Sequence, residues 1–403
     1  MTLLINQLKL MNKMKTLNLF LYRLCFIIMS IASFTGHAKS IIVGAEQSAE
    51  YLPSLQGKKV GLVVNQTSSV EGKHLVDFLI SHDVDIKYIF APEHGFRGNH
   101  DAGAMVKDNI DPLTQLPVIS IYGKNKKPPQ DIIGQLDVII FDIQDVGVRF
   151  YTFLSSMHYM MEAAADAEKS FIVFDRPNPN IKFVNGPILE ADFSSFVGMH
   201  PIPVLHGMTL GELAKMISGQ GWLTSKNELN LHVIPVKNYT RSSVYSLPIK
   251  PSPNLPNDQS IQLYPSLTFF ESTVVSIGRG TDFPFQVIGH NQYSIGDFNF
   301  TPISMPGSAL KPKLMDKLLT GQDLRNSTMS GLDLQPFIQW YQLFAKHDEV
   351  FFKYPEFMDK LAGTDKLRKS IQAGVSLEQI EASWQQGLSD FKRLRAKYLI
   401  YPN

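Results

Sequence analysis

One cysteine, Cys25, is all that the 403 residues contain. It sits inside an apolar N-terminal run, so a chain lacking that run has no disulfide and no thiol nucleophile. Net charge is nearly absent as well: +1 over the whole chain, with no basic footprint for nucleic acid. Familiar nucleotide and hydrolase motifs are missing. There is no Gly-x-Ser-x-Gly elbow, no phosphate-binding Walker loop, no His-Glu-x-x-His and no Gly-x-Gly-x-x-Gly after the first strand. A dinucleotide enzyme is therefore not expected, and no cofactor is implied. Internal repeats and low-complexity linkers are also absent.

What is present begins with a targeting pattern. Lys13, Lys15 and Arg23 precede the apolar stretch Leu24 to Phe34, and Gly36 and Ala38 place small residues before Lys39. This reads as a signal peptide over residues 1–38, with Met14 an alternative start. The apolar run is too short for an ordinary membrane span, so no stable span is expected after cleavage. An uncleaved anchor is the competing reading. Cys25 is not at the cleavage point, which argues against a lipoprotein. Removing residues 1–38 takes away Lys9, Lys13, Lys15 and Arg23 and no acid, changing the net charge from +1 to −3. The expected location is periplasmic or secreted.

Five short runs rich in Val, Ile and Phe follow: Lys59 to Asn65, Ile86 to Ala91, Val118 to Tyr122, Val138 to Asp142 and Phe171 to Asp175. They lack alternation, as strands buried on both faces do. Helix-like stretches lie between several of them, at His74 to Ser81 and Ser155 to Lys169. The order predicts right-handed βαβ units: a Rossmann-like open parallel sheet over residues 39–238. A smaller α/β domain is expected over 239–403, with a cleft between the two. Thr209 and Glu212 form a capping box for a helix reaching about Gln220. Spacings of three and four from Leu377 to Tyr398 predict one amphipathic helix opened by Ser376. The Lys250-Pro251-Ser252-Pro253-Asn254-Leu255-Pro256 and Gly278-Arg279-Gly280 loops are expected to close over the first domain's edge.

The polar residues gather where the strands end, which in an open parallel sheet is the ligand-binding edge. Glu93 follows the second strand and is a candidate general acid; pairing with Arg97 is the alternative. Asp142 and Asp145 are candidates for a second catalytic carboxylate, for anchoring loop backbone, or for a metal. Arg149 and Arg176 suit an anionic substrate group, unless they pair with Asp145 or Asp175. His94, His100, Asp101 and Asp142 match no metal-ligand spacing, and no metal is expected. His206, before the capped helix, and Glu271, before the glycine-rich loop, are either cleft residues or ordinary packed ones.

Several stretches in order carry a resemblance. They are Ala91-Pro92-Glu93-His94-Gly95-Phe96-Arg97-Gly98 with Asp101-Ala102-Gly103, and Phe141-Asp142-Ile143-Gln144-Asp145-Val146-Gly147-Val148-Arg149-Phe150-Tyr151-Thr152. Asp175-Arg176-Pro177-Asn178-Pro179, His206-Gly207-Met208-Thr209-Leu210-Gly211-Glu212, Pro251 to Pro256 and Gly278-Arg279-Gly280-Thr281 follow. Through these the chain resembles the exo-β-N-acetylmuramidases of glycoside hydrolase family 171. The resemblance implies a two-domain protein that releases N-acetylmuramic acid from non-reducing ends of peptidoglycan fragments. It places the catalytic glutamate on Glu93. It adds Tyr151, Asn178 and Asn254 to His94, Arg97, Arg149, Arg176, His206, Glu271 and Arg279 as candidate substrate-binding residues. Many members carry an acid where this chain has Ile277, which bears on substrate preference. An arginine among Arg97, Arg149, Arg176 and Arg279 is expected to pair with the sugar's lactyl carboxylate. Two other readings compete: an exported metal-dependent hydrolase using Asp142, Asp145 and His94, and a non-catalytic cell-wall sugar-binding protein.

Overall fold

The computed structural model describes residues 1–32, 40–93, 95–97 and 108–402. The expected signal cleavage point at 36–38 lies outside them, as do His94, His100 and Asp101. The chain forms two compact units, Met1–Ile41 and Ile42–Asn403. The first contains one helix, Thr2–Ala32. Among the described residues, no helix is long and apolar enough to cross a membrane.

Among the described residues of the second unit, seven strands form the main sheet. In chain order they are β1 (Lys59–Val64), β2 (Asp85–Ala91), β3 (Asn109–Ile110), β4 (Pro117–Ser120), β5 (Val138–Asp142), β6 (Ser170–Phe174) and β7 (Asn230–Ile234). Their spatial order is β7-β6-β5-β1-β2-β4-β3, parallel throughout except for β3 on β4. The five expected strands are all here, within a residue or two of their sequence bounds. The outer strands β3 and β7 were not anticipated: β3 is two residues long and β7 has exposed positions, so neither shows a buried apolar run.

Continuous apolar runs arise because both faces are covered. Ile139 and Phe141 of β5, Phe171 and Val173 of β6 and Val63 of β1 pack on one side, under the helices Phe153–Asp166 and Leu210–Gly219. Val138, Ile140, Ile172, Val60 and Leu62 alternate with them and pack on the other side, with Tyr51, Leu75 and Leu79. Each such side chain contributes about 1.5–3 kcal/mol by leaving water. Thr209 opens its helix with the expected capping box.

Beyond Tyr239 the chain builds a small antiparallel sheet from Val287–His290, Phe298–Phe300 and Leu319–Asp323, with the last strand central. Several helices follow. The single C-terminal helix expected from spacing is two, Leu377–Ser383 and Gln385–Arg395. Trp384 interrupts them with φ −106° and ψ 2°. Its indole N–H donates to Asn185 at 3.2 Å and its ring is buried. The tail then returns to the main sheet. Tyr401 donates to Asp175, and the Ile400 and Tyr401 amides donate to Glu212 at 2.8 and 3.3 Å.

The chain runs outward from β1 to β2 and β4, then crosses back to β5 on the other flank of β1. The reversal opens a crevice at the carboxyl ends of β1, β2 and β5. Its floor is bonded tightly. Asn65 accepts from the Thr67 amide and hydroxyl, Thr67 accepts from the Gln144 amide at 3.0 Å, and Ser68 donates to the Asp142 carbonyl. Gly147, with φ +79°, must be glycine because a Cβ would lie 2.0 Å from Asn178 Oδ1.

Asp145 is buried in this floor, with Oδ2 accepting from the Gly147 amide at 2.7 Å and no partner for Oδ1. Burial pushes its pKa up to about 7, against the lowering effect of the Gly147 and Val146 amides. An unfolded aspartate ionises near ~3.9. Between those values the folded state holds the extra proton, so stability falls as pH rises through that window. Asp145→Asn, neutral throughout, is expected to flatten this part of the slope in urea unfolding measured across the same range. An unchanged slope would remove Asp145 as its source.

Candidate active site

The crevice narrows to a cleft holding about 440 Å³ of free space, its open mouth included. Glu93, one residue beyond Pro92 at the end of β2, enters from one side. Both its oxygens are held: Tyr122 Oη donates to Oε1 at 3.0 Å, and Thr152 Oγ1 donates to Oε2 at 2.6 Å. Tyr122 comes from the loop after β4 and Thr152 from the loop after β5, on the far side of β1, so the ends of three strands fix one carboxylate. Burial, then the Glu93 charge, raise the Tyr122 pKa, so the phenol keeps the proton that it donates.

The chain beyond Tyr239 supplies the opposite wall. Tyr151 Oη donates to the Pro251 carbonyl at 2.8 Å, and Gln66 Nε2 to the same carbonyl at 3.2 Å. These bonds draw the proline-rich loop over the strand ends. Asn254 lines the cleft with its amide nitrogen donating to the Ser308 carbonyl at 2.9 Å. Tyr264 and Phe285 meet edge to face at 5.0 Å. Phe285 adopts φ +58°, a left-handed conformation costly for a bulky residue, which its amide bond to the Ile277 carbonyl at 2.7 Å helps to hold. An aromatic wall facing a carboxylate suits a pyranose ring, which offers apolar C–H faces and polar edges.

Arg279 reaches the cleft with its guanidinium 5.0 Å from the Phe285 ring centre. Its Nε bonds Glu271 at 2.5 Å. Burial pushes the Glu271 carboxyl up, but the Arg279 and Lys313 charges outweigh it and hold the pKa below the ordinary value. Glu271 therefore stays anionic and orients the arginine. Ile277 is buried in the apolar core.

Glu93, Tyr151, Asn254 and Arg279 thus share one cleft, with Glu271 behind the last. The structure brings none of the other described candidates there. Asp142 has no exposure and is clasped by Arg176, with Nε to Oδ1 at 2.6 Å and Nη2 to Oδ2 at 2.9 Å. Arg176 therefore pairs with Asp142 rather than with Asp145 or Asp175. Asp175 instead accepts from Thr209, the Gly211 amide and Tyr401. Among the described residues Arg149 pairs with no acid: it donates to the carbonyls of Pro187, Ile202, Leu361 and Ala362 at 2.6–3.0 Å and is 1% exposed. Asn178 is buried, donating to Met208 and accepting from the Asn180 amide. His206 is buried with Nδ1 accepting from Met208; burial, then the Arg395 and Arg149 charges, push its pKa down to about 3 and keep it neutral. Arg97 pairs with Asp111 at 2.9 and 3.1 Å, not with Glu93. Among the described residues no cluster of histidine, cysteine and acids fits a metal ion.

Thr152, Ser252, Tyr264 and Phe285 also line the cleft, Tyr122 bonds Glu93 beside it, and none of the five was singled out by sequence. Thr152 lies in a motif that carried the resemblance, and Tyr122 ends an apolar strand. Those positions were the available signals. Larger cavities exist elsewhere, such as the one between Leu189 and Trp384. Its Glu190 carboxylate is taken by Thr364 and Lys366, so size alone does not locate the chemistry.

Comparison with known proteins agrees. Residues 60–259 match the N-terminal domain, and residues 262–401 the C-terminal domain, of the exo-β-N-acetylmuramidase NamZ family. The chain belongs to this family. Peptidoglycan β-N-acetylmuramidase NamZ of Bacillus subtilis is 36% identical over 376 residues, covering 87% of this chain and 89% of that protein. Two crystal structures of DUF1343 family proteins from Bacteroides fragilis share the fold. One has TM-score 0.82 and 43% identity, covering 91% of this chain and all of that one. The other has TM-score 0.78 and 29% identity, covering 90% and 99%. This NamZ-family chain is a glycosidase of two-domain α/β architecture.

The role of Arg149 is testable. Arg149→Leu leaves four buried carbonyls without their donor and is expected to cost about 3–5 kcal/mol of stability, read from the urea midpoint. Unchanged stability with a raised KM would instead put the guanidinium on substrate.

Proposed function

We propose that this protein is an exported exo-acting glycosidase that releases N-acetylmuramic acid from non-reducing ends of peptidoglycan fragments. The observation that carries the reading is Glu93, held through both oxygens by Tyr122 and Thr152, facing Arg279 across an aromatic-walled cleft. Family membership supplies the substrate class. Breaking the glycosidic bond requires a proton on the leaving oxygen and help at the anomeric carbon. Glu93 delivers the proton. Among the described residues it is the only carboxylate lining the cleft, because Asp142 is locked to Arg176 and Glu271 to Arg279. As the glycosidic C–O bond breaks, the substrate's own 2-acetamido oxygen bonds the anomeric carbon; water, giving its proton to the Glu93 carboxylate, then opens that ring with net retention of configuration.

Arg279 is the receptor for the lactyl carboxylate that distinguishes muramic acid from glucosamine. Of the four arginines considered, it alone lines the cleft; Arg97, Arg149 and Arg176 are engaged elsewhere. The Glu271 bond leaves its outer nitrogens for bidentate recognition.

Incubation with N-acetylmuramyl-β-1,4-N-acetylglucosamine should release both monosaccharides, insensitive to chelator, as read by mass spectrometry. Glu93→Gln should lower kcat by about 10²–10⁴-fold. Arg279→Ala should raise KM for this disaccharide but not for its lactyl amide. Full turnover by Glu93→Gln would overturn the acid assignment, and chelator inhibition would favour a metal hydrolase. Binding without turnover by the wild type would favour a sugar-binding protein.

Export follows the N-terminal pattern of Lys13, Lys15, Arg23 and the apolar run before Ala38. Protein recovered from outside the cytoplasm should begin at or near Lys39 on N-terminal sequencing. An intact Met1 or Met14 terminus there would argue for an uncleaved anchor.

A further inference from the structure

An arginine already bonded to a carboxylate makes a neutral pair, and a neutral pair is a poor receptor for an anion. Glu271 and Arg279 are such a pair, so a receptor built from them alone would hold its acidic substrate weakly. A third charge lies behind them. Lys313 donates to the Phe270 carbonyl at 2.6 Å and to the Val275 carbonyl at 3.3 Å, the two backbone groups that flank Glu271 in the chain. Its loop is pressed against the Arg279 loop: a Cβ on Gly280, which has φ +80°, would lie 2.5 Å from Pro312 Cγ and from the Ile303 carbonyl. The ammonium acts electrostatically on both Glu271 and Arg279.

We infer that Lys313 is the positioning residue that sets substrate specificity at the anion-binding end of the cleft, by balancing the Glu271 charge so that Arg279 presents net positive charge to the lactyl carboxylate. This rests on the reading of Arg279 as the carboxylate receptor. With Lys313 protonated, it, Glu271 and Arg279 sum to one positive charge; with it neutral, they sum to none, and the attraction for the substrate's carboxylate weakens. Lys313 never touches the sugar in this scheme. Its effect reaches substrate through the other two side chains.

The same arrangement makes recognition depend on pH. Burial lowers the Lys313 pKa, Glu271 raises it, and Arg279 and Lys353 lower it further, to about 8 overall. Among the described residues, those three are the charged groups that act on it. Arg279 stays protonated throughout, its pKa raised by Glu271 against the effect of burial.

The experiment measures KM and kcat for N-acetylmuramyl-N-acetylglucosamine and for its lactyl amide, with the protein taken through pH about 8. For the wild type, KM for the acid should rise about tenfold as Lys313 loses its proton, the size expected of a partly screened charge near the carboxylate. KM for the amide should stay flat. Lys313→Met should show the raised KM already at neutral pH, with no further rise and a much smaller change in kcat. Lys313→Arg, charged at every accessible pH, should abolish the rise. A mere staple of the Phe270–Val275 loop would move neither the pH profile nor the acid-to-amide ratio. The inference fails if the wild-type profile is flat, or if Lys313→Arg keeps the same rise. Should Lys313→Met not fold, the wild-type titration and the arginine variant decide by themselves. Arg279→Ala separates the two levels. If it leaves the acid-to-amide ratio unchanged, the carboxylate receptor itself is misassigned. If it collapses the ratio while the Lys313 variants do not, only the role of Lys313 falls.

Discussion

A carboxylate with no exposure cannot stay charged alone, and Asp142 has none. The bidentate clasp of Arg176 on Asp142 satisfies both ions at once. It joins the end of β5 to the residue two beyond β6. It also fixes where the chain leaves β5, so it decides the path of the loop that carries Asp145, Gly147, Arg149, Tyr151 and Thr152. Every other feature of the cleft depends on that path. Thr152 can hold Glu93 only because the loop is turned by Gly147 against Asn178. Tyr151 can hold the proline-rich loop only because the same turn aims it outward.

The far end of the chain is tied to the same floor. Asp175 and Glu212, both without exposure, gather donors from distant segments: Thr209, Gly211 and Tyr401 on the first, Arg241 and the amides of Ile400 and Tyr401 on the second. Arg395 adds a bond to the Gly207 carbonyl at 2.6 Å. Buried acids that need donors thus become the points where the last residues dock. The wall carrying Tyr264, Arg279 and Phe285 lies between two anchored stretches of chain, at Pro251 and at Tyr401. A cleft built from both sides of Tyr239 keeps its geometry through these bonds rather than through the apolar core alone.

Glu93, Asp142, Asp145, Arg149 and Arg176 looked alike as a sequence: polar residues after buried strands. The structure divides them by depth. Glu93 sits at the mouth of the crevice, where the hydroxyls of Tyr122 and Thr152 bond its two oxygens. Asp142 and Arg176 sit below it and neutralise each other. Arg149 points the opposite way, into backbone carbonyls of Pro187, Ile202, Leu361 and Ala362. No local pattern separates these fates, because each is set by residues tens or hundreds of positions away. The broken C-terminal helix is a similar case: the spacing of apolar residues was read correctly, but the demand of Trp384 for a buried site and for Asn185 is a tertiary matter.

The order of buried strands, the capping box at Thr209 and the convergence of polar loops at one sheet edge were determined by the sequence alone. Those features follow from local periodicity and from the short-range chemistry of caps and turns. The family resemblance was legible for the same reason, since its motifs are the loops at those strand ends. Tertiary structure decided which of the polar residues line the cleft. It set Tyr122 and Thr152 against Glu93, placed Arg279 in the cleft on Glu271 while engaging three other arginines elsewhere, and set Lys313 behind Glu271. Charge makes the difference: a buried ion must find its partner wherever the fold puts one, and sequence distance carries no information about which partner that will be.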